Sequence, residues 1–340
     1  MVLSKRWKPL WPSVSTLDLV DDRYLDAKES KPYSSFIKFV YAAILSRGLN
    51  QPIKNFTLNC DDCPDSDVKV WLNAAIQRQL ENLYIDLSPS RLPCTILTCT
   101  TLAVFKLRFV KFDAISYVYL PSLKTLHLEN IWFDKPQFLM ELLYGCPALE
   151  DLKANEIIFH DYSFEGKVRS LSKLVRADVF FDENFFIPVK AFRNVEFLRI
   201  DECDGDIPVF PNLTCMELFL GGSIQFSVAL DMLNHCPKLQ VVVFNFTNDD
   251  DDDEDGDVWP YPQYVPECFS SHLTKCFLKD FKGLDRHMRF ARYVMENSTS
   301  LRTMSMTIDS YCKNQKKEVQ MIKELASYSR SSPVCKLLFK

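Results

Sequence analysis

Glycine is scarce, with eight in 340 residues, and that scarcity removes several functions at once. Neither Gly-x-Gly-x-x-Gly nor Gly-x-x-x-x-Gly-Lys occurs, so the chain writes no loop whose backbone amides would cradle a dinucleotide or a triphosphate. Histidine is scarcer, with five, at 127, 160, 235, 272 and 287, none at metal-ligand spacing from another. There is no Gly-x-Ser-x-Gly elbow and no His-Glu-x-x-His helix. These absences argue against an enzyme and imply neither cofactor nor metal.

Long hydrophobic runs are also missing. Stretches such as Val241-Val242-Val243-Phe244 are strand-sized, far short of the roughly 18 residues that span a bilayer. The first residues carry Lys5, Arg6 and Lys8 among prolines and lack the roughly 7 to 15 apolar residues of a signal peptide. The expectation is a soluble protein of the cytoplasm, the nucleus or both, with no membrane contact. Twelve cysteines suit that compartment, because Cys146, Cys215, Cys236 and Cys276 sit in apolar patterns where thiols pack as small hydrophobes. Cys60-Asp61-Asp62-Cys63 has the spacing of half a zinc site, but its other half is absent, so both are read as ordinary loop thiols.

Charge is concentrated in one place. Residues 249–257 hold eight acids in nine positions, and removing those eight charges from the net −5 leaves +3 on the rest of the chain. From a near-neutral remainder neither a nucleic-acid surface nor an acidic protein surface follows. The acidic run starts like a calcium loop, Asp251-x-Asp253-x-Asp255-Gly256. Pro262 stands where the bidentate Glu is needed, however, and Pro260 and Pro262 forbid the exit helix. It reads as a solvated, self-repelling loop.

What the chain does have is repetition. QLENLYIDL, TTLAVFKLRF, LPSLKTLHLEN, CPALEDLKANE, SLSKLVRADVFF, FRNVEFLRID, FPNLTCMELFL and CPKLQVVVFNF share one frame of an apolar residue, two variable ones, a second apolar, one variable and a third apolar. The first positions are Leu80, Leu102, Leu123, Leu149, Leu174, Val195, Leu213 and Leu239, spaced 22, 21, 26, 25, 21, 18 and 26 apart, with an earlier copy at Ile53. Most intervals fall in the window of leucine-rich repeats, each a strand whose alternate side chains point inward plus a return segment outside. One unit cannot bury its apolar face alone; stacked neighbours can. FLMELLYG (138–145) and FSVALDMLNH (226–235) have helical periodicity, and each feeds into Cys-Pro-x-Leu, where proline closes the helix.

Stacked strands leave the variable positions on one exposed face. Those positions include Tyr84, Asp86, Lys106, Arg108, His127, Glu129, Asp151, Lys153, Arg199, Asp201 and Glu217, a mixture of charge and aromatics that suits a protein partner better than a polyanion. From about Trp259 the pattern changes to a strand within 265–283, an amphipathic helix at 284–298 carrying Met288, Ala291, Val294 and Met295 on one side, a strand at 301–308, a helix at 316–330 and a strand at 335–339. That βαβαβ order would cover the last repeat.

WPYPQYVPECFSSHLTKCFLKDFKG followed by ARYVMENSTSLRTMSM resembles the FBD domain of the plant F-box/FBD/leucine-rich-repeat family, LLYGCPALEDL resembles its repeats, and VLSKRWKPLW resembles the closing residues of its F-box. The resemblance covers Met1 to Lys340 and implies three parts: an F-box remnant at 1–12, leucine-rich repeats at 13–258 and an FBD domain at 259–340. The implied fold is α/β, an irregular solenoid whose curved parallel sheet carries outer helices and ends in the βαβαβ module. The implied function is the non-catalytic, substrate-recognising subunit of a Skp-cullin-F-box ubiquitin ligase. Its partners would be an unidentified protein substrate and, through Leu3, Trp7 and Leu10, a Skp-type adaptor with its cullin. Because the sequence begins near the end of the F-box pattern, the alternative expectation is a free-standing interaction module that recruits no ligase.

Overall fold

The computed structural model describes residues 14–21, 33–48, 50–61, 63–112, 115, 117–164, 166–181, 188–201, 207–220, 223–246, 264–308 and 315–340. They form two compact units: residues up to Leu174 with Phe181–Phe185, and Val175–Phe180 with the chain from Phe186 onward. No helix among the described residues is long and apolar enough to cross a membrane.

The first unit begins with β1 (Thr16–Val20), α1 (Tyr33–Leu45), β2 (Asn55–Cys60), α2 (Asp65–Ile76) and β3 (Asn82–Arg91). It continues through a 3-10 turn at Cys94–Thr98 to β4 (Val104–Phe112), β5 (Thr125–Phe133), α3 (Pro136–Tyr144) and β6 (Asp151–Phe159). Each strand pairs in parallel with the next, which obliges the chain to return outside the sheet between strands. The register sets equal frame positions side by side: Phe56, Leu83, Phe105, Leu126 and Leu152 form one inward row and Leu58, Ile85, Leu107, Leu128 and Ala154 the next, all buried. The anchors Ile53, Leu80, Leu102, Leu123 and Leu149 are buried too. β1 adds a copy that the sequence reading does not contain, with Leu17 and Leu19 packed beside Phe56 and Leu58.

In β4, β5 and β6 the inward row stops at a turn of backbone that the residue type announces only at Asn130. Phe109, Asn130 and Glu156, one in each of β4, β5 and β6, all have φ of 53°, in the left-handed region that disfavours a residue with a Cβ. Each absorbs one extra residue on the outward side. The inward phase therefore resumes at Val110, Ile131 and Ile157 and ends in Phe112, Phe133 and Phe159, whose rings stack at centroid distances of 5.2 and 6.2 Å. The strain at each step is offset by burying two further apolar side chains per strand.

The Cys-Pro-x-Leu closure after α3 works as its residues suggest. Cys146 is buried and its thiol donates to the Leu142 carbonyl at 3.1 Å, while the Leu149 amide donates to the Cys146 carbonyl, delivering the chain to its anchor position. Gly145 lies against Val118, where a Cβ would meet the valine's Cγ1 at 2.3 Å, and its carbonyl accepts from the Leu120 amide at 2.8 Å. At the end of β2 the structure departs from expectation. Cys60 and Cys63 are joined in a disulfide, because the turn between β2 and α2 brings their Cα atoms to 5.9 Å, within bonding range.

The second unit runs β7 (Arg176–Phe181), a 3-10 turn at Val189–Phe192, β8 (Phe197–Ile200), β9 (Cys215–Leu220), α4 (Ser223–Asn234) and β10 (Val241–Phe246). The chain then continues through α5 (Glu267–Ser271), β11 (Lys275–Phe281), α6 (Asp285–Asn297), β12 (Thr303–Ile308), α7 (Gln315–Ser327) and β13 (Lys336–Phe339). These strands too pair in parallel and in sequence order. The expected change of pattern near Trp259 does not extend to the strands. Leu273-x-x-Cys276-x-Leu278 and Leu301-x-x-Met304-x-Met306 repeat the frame, buried and in register with Val242 and Phe244. The copies are hidden because cysteine and methionine replace leucine and because the acidic segment stretches the interval from Leu239 to Leu273 to 34 residues. α6 buries Met288, Ala291, Val294 and Met295 as its periodicity predicts. Beside them His287 is enclosed by aromatics, stacked on Phe246 at 4.0 Å with Phe281 at 5.5 Å. Burial, with lesser help from the charges of Arg286 and Lys282, pushes its pKa down to about 3.

Candidate functional site

In a strand of this sheet the residues two, four and six places after each anchor point away from the core. The eleven face residues read from the sequence occupy such positions or follow them directly, and every one is half-buried. In the first unit Tyr84, Lys106, His127 and Lys153 stand side by side in one row across β3, β4, β5 and β6. Asp86, Arg108 and Glu129 form the next row, completed by Asn155. Asp151 stands one row earlier, opposite Thr125, and its Oδ2 reaches His127 Nε2 at 3.1 Å.

The charges of this face are largely matched internally. Arg108 lies between two carboxylates, with Nη1 3.6 Å from Asp86 Oδ2 and Nε 3.2 Å from Glu129 Oε1. Burial raises the pKa of Asp86 even though Arg108 pulls the other way, and burial with the Asp86 charge raises that of Tyr84, whose hydroxyl donates to Asp86 Oδ2 at 3.5 Å. Lys106 and Lys153 have no ion-pair partner among the described residues. Half-exposed pairs of this kind contribute about 0–1 kcal/mol each to stability. Their main effect is to fix where side chains point.

In the second unit Asp178, Arg199 and Glu217 share one row across β7, β8 and β9, and Asp201 follows β8 directly. Arg199 Nη1 is 3.1 Å from Asp178 Oδ1, and its Nε is 3.8 Å from Glu217 Oε1. Glu217 Oε1 accepts from Lys279 Nζ at 2.9 Å and from Asn245 Nδ2 at 3.0 Å. Burial works to raise the pKa of Glu217, but the donors Lys279 and Asn245 and the charges of Lys279 and Arg199 outweigh it and hold it below the usual value. Aromatics interleave with these charges: the Arg199 guanidinium lies 5.0 Å from the Phe219 centroid, Arg176 lies 3.6 Å over Phe197, and Phe180 meets Phe219 edge to face at 5.6 Å.

Sequence reasoning missed Arg176, Asp178, Phe180, Phe197, Phe219, Asn245 and Lys279. The signal was present for the first six, each two, four or six places after Leu174, Val195, Leu213 or Leu239, whereas Lys279 follows Leu273, one of the hidden copies. Those phenylalanines look like core residues until the register assigns them to the open face. Leu3, Trp7 and Leu10 and the acidic run 249–257 lie outside the described residues. Among the described residues no three His, Cys, Asp or Glu side chains gather as a metal cluster.

Comparison with known proteins bears on this architecture. Residues 68–191 match the family described as "FBD-associated F-box protein At5g56370, LRR repeats", and residues 261–306 match the FBD family. The F-box/FBD/LRR-repeat protein At4g26340 of Arabidopsis thaliana is 30% identical, with 99% of this chain and 93% of the relative aligned. The chain belongs to the plant F-box/FBD/leucine-rich-repeat family. Its similarity to other members is end to end as well. The FBD-associated F-box protein At3g52670 of the same plant is 27% identical over 100% of this chain and 91% of its own length, and the putative FBD-associated F-box protein At5g56560 is 24% identical over 99% and 92%. The repeat match begins in α2 and ends in the turn before β8, and the FBD match spans β11, α6 and most of β12. The repeats anchored at Val195, Leu213 and Leu239 lie between the two matches and keep the family's frame.

Proposed function

We propose that this chain is a non-catalytic, substrate-recognising subunit of a Skp-cullin-F-box type ubiquitin ligase, holding a protein partner on the open face of its parallel strands. The observation that carries this reading is the face itself. Consecutive strands present half-buried arginines and aromatics in fixed register, and these are the residue types that dominate protein-binding hot spots. The names of the relatives support the link to an F-box system. In this reading residues 1–12 contribute the adaptor contact through Leu3, Trp7 and Leu10. Residues 13–258 form the repeats, and 259–340 form the FBD module that covers the edge of β10.

The test is affinity purification of the whole chain from plant cells beside two variants, Arg199→Ala/Phe219→Ala and Leu3→Ala/Trp7→Ala/Leu10→Ala, with adaptor, cullin and bound partners scored by mass spectrometry. The first variant should lose the partner and keep the adaptor; the second should do the reverse. If the chain recovers partners but neither variant nor parent recovers an adaptor, it acts as a free-standing interaction module. If Arg199→Ala/Phe219→Ala retains every partner, the face is not the binding surface.

A further inference from the structure

Among the described residues Lys106 and Lys153 are two cations, in one row of the first unit's open face, that form no ion pair with its carboxylates. Asp86 and Glu129 are both engaged by Arg108, and Asp151 is engaged by His127. Within the first unit the shared row runs Asp18, Thr57, Tyr84, Lys106, His127, Lys153, and its acid, Asp18, is three strands away from Lys106. At roughly 4.8 Å per strand that is about 14 Å, beyond a Debye length at physiological salt. Both lysines are half-buried. What is left is a pair of lysines with His127 between them in the row and Tyr84 beside the first.

We infer that this part of the face takes an extended acidic segment of a protein, with carboxylates three residues apart laid across the strands. The inference rests on the reading of the face as a partner-binding surface and specifies the partner's chemistry there. The spacing follows from two repeats. Lys106 and Lys153 are two strands apart, roughly 9.6 Å. A polyproline II segment returns to the same side every third residue and rises about 3.1 Å per residue, so Glu-x-x-Glu sets its carboxylates about 9.3 Å apart on one side. A β-strand places same-side residues about 6.8 or 13.6 Å apart and matches less well. A polyproline II ligand also arrives already extended, which lowers the ordering cost of binding. Two lysines separated by His127 offer no continuous track for a line of phosphates.

The test uses the full chain and a fluorescein-labelled peptide, Glu-Pro-Pro-Glu-Pro-Pro-Glu, read by fluorescence anisotropy beside the same peptide with Gln for Glu. The Glu peptide should bind and weaken as salt rises. Lys106→Glu/Lys153→Glu should lower its affinity about tenfold or more, and Lys106→Gln/Lys153→Gln by a smaller factor. Circular dichroism melts of all three proteins should coincide, since half-exposed lysines support little of the fold. Equal binding of the Gln peptide, or binding indifferent to the lysine variants, overturns the inference. So does tighter, lysine-dependent binding of single-stranded DNA at the same salt, which would mark a polyanion site. Failure here leaves the face reading standing if Arg199→Ala/Phe219→Ala still loses its partner, and that variant is the separate measure of the broader proposal.

Discussion

His287 is the most sharply perturbed group whose titration falls in an accessible pH range, and it predicts a specific acid sensitivity of the second unit. Its ordinary pKa of 6.5 falls to about 3 inside the aromatic enclosure. The folded chain therefore keeps the ring neutral through pH values at which the unfolded chain protonates it. Wherever the unfolded state binds more protons, stability falls as pH is lowered. The contribution is fully present above about pH 6.5, declines by about 1.4 kcal/mol for each unit below it, and stops declining near the folded pKa. Between pH 7 and 5 the loss is about 2 kcal/mol. The assay is urea unfolding of the chain and of His287→Leu, which removes the titrating group without adding a polar one, followed by a signal from the second unit. The two proteins should differ in stability by an amount that changes by about 2 kcal/mol across this range, with the parent losing more. The His287 Cε1 proton, followed by NMR, should show no titration step down to pH 4.5. A stability difference that does not move with pH, or a ring that titrates near 6.5, would refute the reasoning and place the imidazole in contact with water.

Two further outcomes concern packing in the first unit. Leu152, in the middle of an inward row and fully buried, should cost about 2–5 kcal/mol when cut to alanine, because flanking Leu126 is held by its own strand and cannot collapse into the space; a melting temperature within a degree of the parent would contradict the stacked core. Gly145→Ala should destabilise by about 1–3 kcal/mol, since the added methyl meets Val118 at 2.3 Å. In a double-mutant cycle Gly145→Ala should cost less beside Val118→Gly, which removes the Cγ1 and Cβ contacts at 2.3 and 2.4 Å, and an unchanged cost would leave the Val118 carbonyl at 2.8 Å as the obstacle.

Much of the core was readable because its periodicity is local. An apolar residue at the first, fourth and sixth places of a frame selects the inward side of a strand whatever its neighbours are, and every anchor from Ile53 to Leu239 is buried as expected. The return helices α3 and α4 were readable for the same reason, through apolar residues three and four apart ended by Cys-Pro. The copies at Leu273 and Leu301 were harder to see, because cysteine or methionine stands in leucine's place and because 34 residues separate Leu239 from Leu273. Of the left-handed residues Phe109, Asn130 and Glu156, only Asn130 is of a type enriched at positive φ, and the other two were not readable. Phenylalanine and glutamate carry no preference for positive φ, and only the gain from burying the second pair of apolar residues in each strand holds them there.

By itself, then, the amino-acid order determined which side chains turn inward, where helices close and which family the chain resembles, because each depends on spacing within a few dozen residues. The tertiary structure alone decided which outward residues meet. Arg199 finds Asp178 and Glu217, Glu217 finds Lys279 from 62 residues away, and Lys106 and Lys153 form no ion pair among the described residues. Those pairings depend on cross-strand register, which is set by the stacking of the whole inward face, and no local stretch of sequence contains that information.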